Sequence, residues 1–269
     1  MTGNRALAID AAEYTLLRSF HDYAPEELKS ALGLKWIEDR GVSISICAAD
    51  KSIMLNRCGG LGIHESASTE QIHSIKNRYL EAGIERFFLQ VQPAAQPENI
   101  SELLVDCGMQ NYRAWMKFVR APDAPPKYQS TLEVRAARES EYAEFARIAT
   151  TGFGLDEKSR PMLEAAAHHP DLHVFLGYAG DQPAACGVLF VHNGIGWLDF
   201  AATDPEFRRM GAQTALLCHR IAAAARLGCT TLATCTGEAA PGDPQHSYGN
   251  ITKVGFQEYQ RRENWIPDP

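Results

Sequence analysis

The second half of the chain begins with short runs in which apolar and polar residues alternate. Across "LHVFLGYAGDQPAACGVLFVHNGIGWLDFAATD", which begins at Leu172, the alternation breaks at Gly180-Asp181 and again at Asn193-Gly194. An Asn-Gly pair between two alternating segments is a strong signal for a tight hairpin turn. The pattern therefore predicts three consecutive strands.

A helical periodicity follows these strands. Leu217, Ile221 and Ala225 recur at helical spacing, which predicts a helix from about Gly211 to Leu227 that ends at Gly228. After it, the pattern predicts a buried strand over "CTTLATCT", a short helix over "SYGNITKV" and a final strand over "FQEYQRRENW".

A proline-rich stretch divides the chain. "RAPDAPPKYQS" favours extended backbone over packed structure and is interpreted as a linker. The next segment, "TLEVRAARESEYAEFARIA", alternates like a strand through Val134 and becomes helical from about Ser140. The sequence thus predicts a first domain over residues 1–120, a linker over 121–130 and a second domain over 131–269.

The first half repeats the order of elements seen at the end of the chain. A helical stretch "STEQIHSIKNRYLEA" and a strand "IERFFLQV" precede a second helix "ENISELLVDC" and a strand "QNYRAWMKFVR". Glycines end the helices in both halves, 25 residues apart at Gly83 and Gly108 and 27 residues apart at Gly228 and Gly255. The matched order and spacing suggest an internal duplication, a hypothesis that predicts two halves of similar structure.

Composition excludes several classes of function. The chain is 45% hydrophobic and 22% charged, which is ordinary for a globular protein, and its net charge of −7 argues against nucleic-acid binding. It has no apolar run of the roughly 18 residues that a membrane span requires, and its first residues lack an apolar h-region with a cleavage site, so secretion is not expected. Its seven cysteines contain no C-x-x-C pair, which favours a reduced cytoplasmic setting.

The segment "FRRMGAQTALL" carries the clearest chemical signal. It lies between a predicted strand and a predicted helix, where unpaired backbone N–H groups and the helix dipole favour an anion. The alternative is an arginine-rich first turn of a solvated helix. Cations are disfavoured at that end of a helix, so Arg208 and Arg209 favour the anion site, and Gly211 allows close approach of the backbone.

The surrounding residues resemble the acetyl-CoA loop of the GNAT superfamily of N-acetyltransferases, whose usual form is V-x-P-E-Y-R-G-x-G-x-G. "TDPEFRRMGAQTALL" matches much of that pattern, and "SYGNITKVGFQEYQRRENW" resembles a second GNAT signature that ends in Gly-Phe. Arg209 stands where glycine is frequent, and Gln213 replaces a small residue. The resemblance covers about Thr131 to Trp265.

The resemblance implies a fold of the α/β (α+β) class. It would consist of two GNAT-like mixed-sheet halves with flanking helices, and parallel strands in the C-terminal half would splay apart around acetyl-CoA. The first half would be a degenerate copy without the cofactor loop, because the corresponding "GIHESASTEQ" has no arginine and contains a glutamate. The nearby "GGLG" is interpreted as a turn.

The resemblance also implies the cofactor-binding residues. Backbone groups of four strand residues would bind the pantetheine arm, the loop would bind the pyrophosphate, and one asparagine would face the arm from the opposite side. In that order these are Phe200, Ala201, Ala202, Thr203; Arg208, Arg209, Met210, Gly211, Ala212, Gln213 with the adjacent Thr214; and Asn250.

In direct acetyl transfer a base or a chain of water molecules accepts the proton of the amine, and an acid can protonate the departing thiolate. Many relatives use a tyrosine at the position of Ile251; here Tyr248, one helical turn earlier, is the candidate acid, with Ser247 second. Asp199, two residues from Trp197 in an apolar strand, is the candidate base. The structural alternatives are a partly exposed helix tyrosine and a buried hydrogen-bonding aspartate.

The acceptor side is predicted over Thr150–Asp171, which resembles the variable helix-loop-helix of the family. Phe153, Asp156 and Glu157 are its candidate acceptor-binding residues, with a solvated loop as the alternative for each. The adjacent His168 and His169 would point apart on a helix, so no metal site is predicted.

The leading hypothesis is an N-acetyltransferase that moves an acetyl group from acetyl-CoA to a primary amine. The acceptor would be a small molecule or a peptide, with no nucleic-acid or membrane partner, and the protein would be a monomer or a homodimer. A non-catalytic acyl-CoA-binding regulatory or sensor module is the alternative. A nucleotide-binding domain is disfavoured because G-x-x-x-x-G-K-[ST] and G-x-G-x-x-G are both absent.

Overall fold

A computed structural model describes residues 2–269. Helices and strands alternate through both halves, and short 3-10 turns occur at Glu139–Glu141, Glu157–Ser159 and Pro205–Phe207. The first half contains α1 (Thr2–Asp22), α2 (Glu26–Leu32), β1 (Leu34–Asp39), β2 (Val42–Cys47), β3 (Arg57–Gly59), α3 (Thr69–Glu81), β4 (Phe88–Val91), α4 (Ile100–Asp106) and β5 (Met109–Arg120). The second half contains β6 (Glu133–Ala136), α5 (Tyr142–Phe153), α6 (Arg160–Ala166), β7 (Leu172–Ala179), β8 (Gln182–His192), β9 (Ile195–Thr203), α7 (Ala212–Arg226), β10 (Thr231–Gly237), α8 (His246–Lys253) and β11 (Gln257–Pro267).

The elements predicted for the second half are confirmed, with boundaries shifted by a few residues. In the first half α3, α4 and β5 are also confirmed, whereas β4 is shorter than the predicted strand "IERFFLQV" and begins only at Phe88. The elements before residue 60 had no sequence prediction. The "GGLG" segment lies at a turn, with φ of 99° at Gly60 and 75° at Gly62.

The strands of residues 2–269 form one sheet of eleven strands, in the order β1-β2-β3-β4-β11-β5-β10-β9-β8-β7-β6. The pairs β3–β4 and β9–β10 are parallel, and the other neighbours are antiparallel. This mixed sheet with flanking helices confirms the predicted α/β fold class. If β1 to β5 are matched in sequence with β7 to β11, the order reads the same from either end apart from the edge strand β6.

The two halves exchange their last strands. β5 pairs with β10 of the second half, β11 pairs with β4 of the first half, and β5 and β11 pair with each other at the centre. Each half therefore completes the sheet of the other. The backbone over 121–130 contains neither helix nor strand. We therefore keep the division of the chain into residues 1–120 and 131–269 as a proposal, although the shared sheet means that the two halves are not separate bodies.

The four glycines that suggested a duplication occupy equivalent places in this order. Gly83 and Gly228 follow α3 and α7, and Gly108 and Gly255 follow α4 and α8. Their φ angles, between 68° and 88°, lie in the left-handed region that ends helices and favours glycine. The palindromic strand order and these glycines support the proposal that the chain arose by duplication.

Helix α1 of the first half packs against the second half. Ile9 and Leu16 are buried in the same apolar core as Phe145 and Trp197. Because α1 contacts β1 and β2 of the first half and β8 and β9 of the second, the apolar area that it buries is divided between the two halves. The first half thus supports the part of the second half that contains the candidate site.

Neither a membrane-spanning helix nor a metal-binding cluster occurs among the described residues. No helix of residues 2–269 is both long and apolar enough to cross a membrane. Nor do His, Cys, Asp and Glu side chains in that range cluster in groups of three or more suited to a metal. His168 contacts the ring of Tyr142, and His169 contacts those of Tyr23 and Phe190, so both histidines have aromatic packing partners.

Candidate active site

A cleft opens where parallel strands β9 and β10 diverge. Their ladder joins Ile195–Trp197 to Thr231–Ala233. Beyond it the Thr234 hydroxyl still donates to the Leu198 carbonyl oxygen over 2.8 Å, and the strands then continue to Thr203 and Gly237. Diverging parallel strands expose backbone groups at a sheet's carboxyl edge, where α/β proteins commonly bind ligands.

A bulge in β9 shapes the inner end of this cleft. Val188 pairs with Asp199 and Cys186 with Ala202, so the two intervening residues of β9 oppose Gly187 alone. Phe200, in the bulge, has a φ of 45°. A bulky residue in the left-handed region is strained, and such strain concentrates at functional sites.

Contacts on both sides hold the bulge in place. The Phe200 ring lies edge-on to Phe20 of α1 at 5.1 Å and tilted to Phe153 of α5 at 5.2 Å between centroids. The buried Arg220 of α7 donates through Nη1 to the carbonyl oxygens of Val188 and Asp199, at 3.0 and 3.2 Å. Packing and hydrogen bonds therefore offset the backbone strain.

The larger of two cavities, about 610 Å³, lies between this strand end, the following loop and α8. Most residues predicted to bind the cofactor line it. From the predicted set these are Ala201, Ala202, Thr203, Arg208, Arg209, Gly211, Ala212, Gln213, Thr214 and Asn250. Gly152, His246 and Ser247 also line it, and sequence analysis had given none of these three a cofactor role.

Two predicted cofactor residues lie elsewhere. The carbonyl oxygen of Met210 accepts hydrogen bonds from the Thr131 N–H and the Ser130 hydroxyl, at 3.4 and 3.2 Å, so Met210 anchors the loop. Phe200 lines the smaller cavity described below. Asp204 fixes the start of the loop through its 3.0 Å ion pair with Arg147.

The loop has the features of an anion site. Helix α7 begins at Gly211, which has a φ of 80° and provides no side-chain cap, and its first turn contains no acidic residue. Arg208 and Arg209 are exposed, and within residues 2–269 neither guanidinium has a carboxylate partner. Free N–H groups, the helix dipole and two unpaired cations fit a pyrophosphate.

Gly211 and Gln213 define the space in this loop. A β-carbon on Gly211 would lie 2.6 Å from the Gln129 carbonyl oxygen, so the loop requires glycine there for space as well as for φ. The Gln213 amide donates to the Thr203 hydroxyl over 2.9 Å. Its side chain thus extends across to the end of β9 and forms a wall of the cavity rather than blocking the helix N-terminus.

The matching helix of the first half lacks these features. Ser68 caps α3, since its hydroxyl accepts from the Gln71 N–H over 3.3 Å, and Glu70 lies in the first turn. The space beside Gly59 of β3 is filled by Tyr14, whose hydroxyl donates to Gln90 over 2.8 Å. These residues support the prediction that the first half has no cofactor loop.

A smaller cavity, about 260 Å³, continues from the larger one. Both are lined by Ala201, Gln213, Ser247 and Asn250. The smaller cavity adds Asp199, Phe200 and Phe153 from the second half, and Met54, Arg57 and Trp115 from the first half. Its walls therefore depend on both halves.

Asp199 is the carboxylate in this smaller cavity. Its Oδ2 accepts from Trp197 Nε1 over 2.9 Å and its Oδ1 from the Phe200 N–H over 2.7 Å. Burial raises the pKa of Asp199, and the nearby Arg57 and the two hydrogen bonds oppose that shift. A fixed carboxyl group with a raised pKa is suited to accept a proton.

The structure does not bring Tyr248 to either cavity. Its hydroxyl hydrogen-bonds Glu258 of β11, its ring packs edge-on against Phe118 at 4.8 Å, and burial with that glutamate raises its pKa to about 12. The face of α8 toward the cavities carries Ser247 and Asn250, three residues apart. One residue along a helix is a rotation of about 100°, which directs Tyr248 toward β5 and β11 instead.

Of the predicted acceptor-binding residues, only Phe153 lines either of these cavities. Asp156 accepts through Oδ1 from the Lys158 N–H over 2.9 Å and caps a 3-10 turn. Glu157 is exposed outside both cavities. Sequence analysis missed Arg57, Met54 and Trp115 on this side, because their contribution depends on contacts between the halves that no local pattern encodes.

Comparisons with known proteins agree with this geometry. A family model described as an acetyltransferase (GNAT) domain matches residues 116–243, from β5 to just before α8. Among solved structures, a GCN5-related N-acetyltransferase from Kribbella flavida is similar in fold, with a TM-score of 0.66, 15% identity, and coverage of 97% of this chain and 95% of that chain. A GCN5-related N-acetyltransferase from Sphaerobacter thermophilus has a TM-score of 0.58 at 14% identity, covering 90% of this chain and 84% of that chain.

A third solved structure is a tandem GNAT protein from the clavulanic acid biosynthesis pathway. It has a TM-score of 0.52 at 12% identity, and the match covers 74% of this chain and 67% of that chain. No curated protein matches the sequence significantly. At 12–15% identity these solved structures support the fold alone, so the chemistry is inferred from the residues of the candidate site.

Proposed function

Because the chain belongs to the GNAT superfamily, with an acetyltransferase domain over residues 116–243, we propose that it transfers the acetyl group of acetyl-CoA to a primary amine. One observation carries this proposal. The loop after β9 opens into a cavity that continues, past the bulge of β9, to the partly buried carboxylate of Asp199. A pyrophosphate-containing thioester and an amine would then meet at the bulge.

The larger cavity would bind the coenzyme. The α7 N-terminus with Arg208 and Arg209 would hold the pyrophosphate, and backbone groups from Ala201 to Thr203 would bind the pantetheine arm, with Asn250 opposite. Acetyl-CoA supplies an acetyl group activated as a thioester. A backbone N–H of the bulge would polarise the carbonyl of that group.

The smaller cavity would bind and activate the amine. The amine must lose a proton before its nitrogen attacks, and Asp199 is placed to take that proton directly or through a water molecule. The new C–N bond forms as the C–S bond breaks, and the departing thiolate takes up a proton. The Ser247 hydroxyl, which lines both cavities, is better placed than Tyr248 to deliver it.

The setting of the reaction is part of the same proposal. All seven cysteines are unpaired in the described chain, which supports a reducing cytoplasmic compartment. The acceptor would be a small molecule or a peptide amine, and we retain a monomer or homodimer as the working assembly.

The direct test separates binding from transfer. Calorimetry with acetyl-CoA would measure binding, and release of the CoA thiol across a panel of primary amines would measure transfer. Tight binding with amine-dependent thiol release supports the proposal. Tight binding without transfer to any amine would support the sensor alternative, and the absence of binding would contradict both.

Replacing both loop arginines should weaken coenzyme binding. We expect Arg208→Gln with Arg209→Gln to raise the Kd for acetyl-CoA by about 10- to 100-fold, because hydrogen bonds to a charged group are lost. Calorimetry at low and high salt measures this, and the salt dependence should shrink in the variant. Arg226→Gln, an exposed arginine at the other end of α7, is the matched control; an equal loss in the control would contradict the anion site.

The hydroxyls of Ser247 and Tyr248 should differ in their effect on turnover. We expect Ser247→Ala to lower kcat by about tenfold, less than the roughly 100-fold typical of general acids, because a thiolate of pKa about 8.5 is a good leaving group. Tyr248→Phe should change kcat by less than about twofold, since its hydroxyl already pairs with Glu258. Steady-state kinetics of both variants decide this, and the reverse order of effects would restore Tyr248 as the acid.

A further inference from the structure

The smaller cavity contains a buried cation as well as a partly buried carboxylate. Arg57, from β3 of the first half, is 2% exposed and lines this cavity together with Asp199. No direct ion pair joins the two side chains within residues 2–269. Arg57 is nevertheless the strongest of the charges and hydrogen bonds that lower the pKa of Asp199 against the effect of burial. The cavity therefore presents opposite charges at two separate points.

Arg57 is only loosely paired by the protein itself. Its closest carboxylate is Glu13, 3.5 Å from Nη1, and its Nε is buried without a hydrogen-bond partner in the described chain. Glu13 is committed elsewhere, since Arg262 donates to both of its oxygens at 2.7 and 2.9 Å and Lys117 lies 3.0 Å away. A buried guanidinium with an unused donor is costly unless a ligand supplies the acceptor.

The remaining walls restrict the size of that ligand. The ring of Trp115 lies 5.1 Å from the Arg57 guanidinium carbon, and Phe153, Phe200 and Met54 supply apolar surface. The cavity volume of about 260 Å³ is below the roughly 300–1,000 Å³ of clefts for drug-sized ligands. Part of it must also admit the acetyl group, so the free space suits a small molecule.

We propose that the acceptor is a small free α-amino acid, whose carboxylate is bound by Arg57 and whose amine is directed to Asp199. This inference rests on the proposed acetyl transfer and names its substrate class. A peptide or protein N-terminus is disfavoured, because its first carboxyl carbon is a neutral amide that leaves Arg57 unpaired. A polyamine would place a second cation beside that arginine.

The reaction balances with groups already named. The ammonium form of the amino acid gives up one proton to Asp199 or to water, and its neutral nitrogen bonds to the acetyl carbon as the C–S bond breaks. The nitrogen then loses a second proton, and the thiolate takes one. The products are an N-acetyl amino acid, the CoA thiol and one proton released to solvent.

Matched acceptors test the proposal in the unaltered protein. Glycine, L-alanine, L-leucine and L-phenylalanine would each be compared with the corresponding carboxamide and the decarboxylated amine. We expect kcat/KM for the best free acid to exceed that of its amide and amine by about 10- to 100-fold, since only the acid pairs with a buried charge. Equal or better use of the amides or amines would overturn the inference while leaving acetyl transfer intact.

Equilibrium binding provides a readout independent of turnover. Calorimetry with the protein saturated with CoA should detect the preferred amino acid and show at least tenfold weaker binding of its amide. If acetyl-CoA binds but no member of the panel is acetylated or bound, the amino-acid assignment is wrong. If acetyl-CoA itself does not bind, the proposed function fails first, and the two failures are thus distinguished.

A pair of arginine variants isolates the role of Arg57. Arg57→Gln should reduce the acid-to-amide ratio of kcat/KM to about one, whatever its effect on absolute rates. Arg262→Gln disturbs the same buried ion cluster but does not line the cavity, so it should destabilise the protein and keep the wild-type ratio. Loss of the ratio in both variants, or in neither, would contradict carboxylate recognition by Arg57.

Discussion

Asp199→Asn should reduce kcat by about 100-fold or more, with little change in acetyl-CoA affinity. The asparagine amide cannot accept the proton of the attacking amine, and general bases typically contribute 10²–10⁴-fold. The proposed coenzyme site is lined by other residues, at the end of β9, in the loop that follows it and on α8. Steady-state kinetics with calorimetry of the same preparation would show whether the two effects separate.

The pH dependence gives an independent check on the same residue. Because burial raises the pKa of Asp199, the carboxylate needed as base is lost as pH falls through that raised value. Wild-type kcat should therefore decline on acidification, and the Asn variant should lack that decline. Turnover in the variant close to the wild-type level, or an unchanged acid limb, would remove Asp199 from the mechanism.

Local features of the sequence predicted most of the residues that line the larger cavity. The helix expected from about Gly211 to Leu227 occurs as α7, Ala212–Arg226, because helical periodicity and a stop glycine are encoded in neighbouring residues. The loop before it places Arg208, Arg209 and Gly211 next to the helix N-terminus, a combination that favours an anion site. These signals require no knowledge of distant contacts, which is why most of the predicted residues do line the larger cavity.

The lining of the smaller cavity could not be predicted in the same way. Arg57 and Trp115 reach the smaller cavity because β5 and β11 exchange between the halves and α1 packs across them. Strand exchange is a non-local pairing that alternation alone does not specify. The candidate acids Ser247 and Tyr248 show a second limit of sequence-based prediction. Which of them faces the cavities depends on the rotation of the short helix α8, and the sequence does not specify that rotation.

The stability of the protein should depend strongly on Glu13 of α1, which lies beside the exchanged strands β5 and β11. Its side chain is fully buried and pairs with Arg262 of β11, Lys117 of β5 and Arg57 of β3. We expect Glu13→Gln, which preserves volume but removes the charge, to lower the free energy of unfolding by about 3–5 kcal/mol, because the buried Arg262 and Arg57 lose their closest anion. Denaturant unfolding monitored by tryptophan fluorescence would measure this.

Acidification should narrow the difference in the free energy of unfolding between the wild-type protein and the Glu13→Gln variant. Burial by itself raises the pKa of Glu13, yet Arg262 and Arg57 outweigh it and hold that pKa below its usual range. A carboxylate with a lowered pKa contributes its full stabilisation above the unfolded-state value of about 4.3 and loses it as pH falls toward the folded-state value. The deficit of the Gln variant should thus be greatest near neutral pH.

Two comparisons determine whether the effect belongs to the ion cluster. Glu81→Gln, on the exposed end of α3, should change stability by less than about 0.5 kcal/mol. In a double-mutant cycle, Glu13→Gln and Arg262→Gln should be strongly non-additive, since each removes the other's partner. Additive losses would mean that Glu13 acts through volume or packing alone. A strong coupling, in contrast, would show that charges from both halves form one unit beside the smaller cavity. The first half would then contribute to this site through α1 as well as through Arg57.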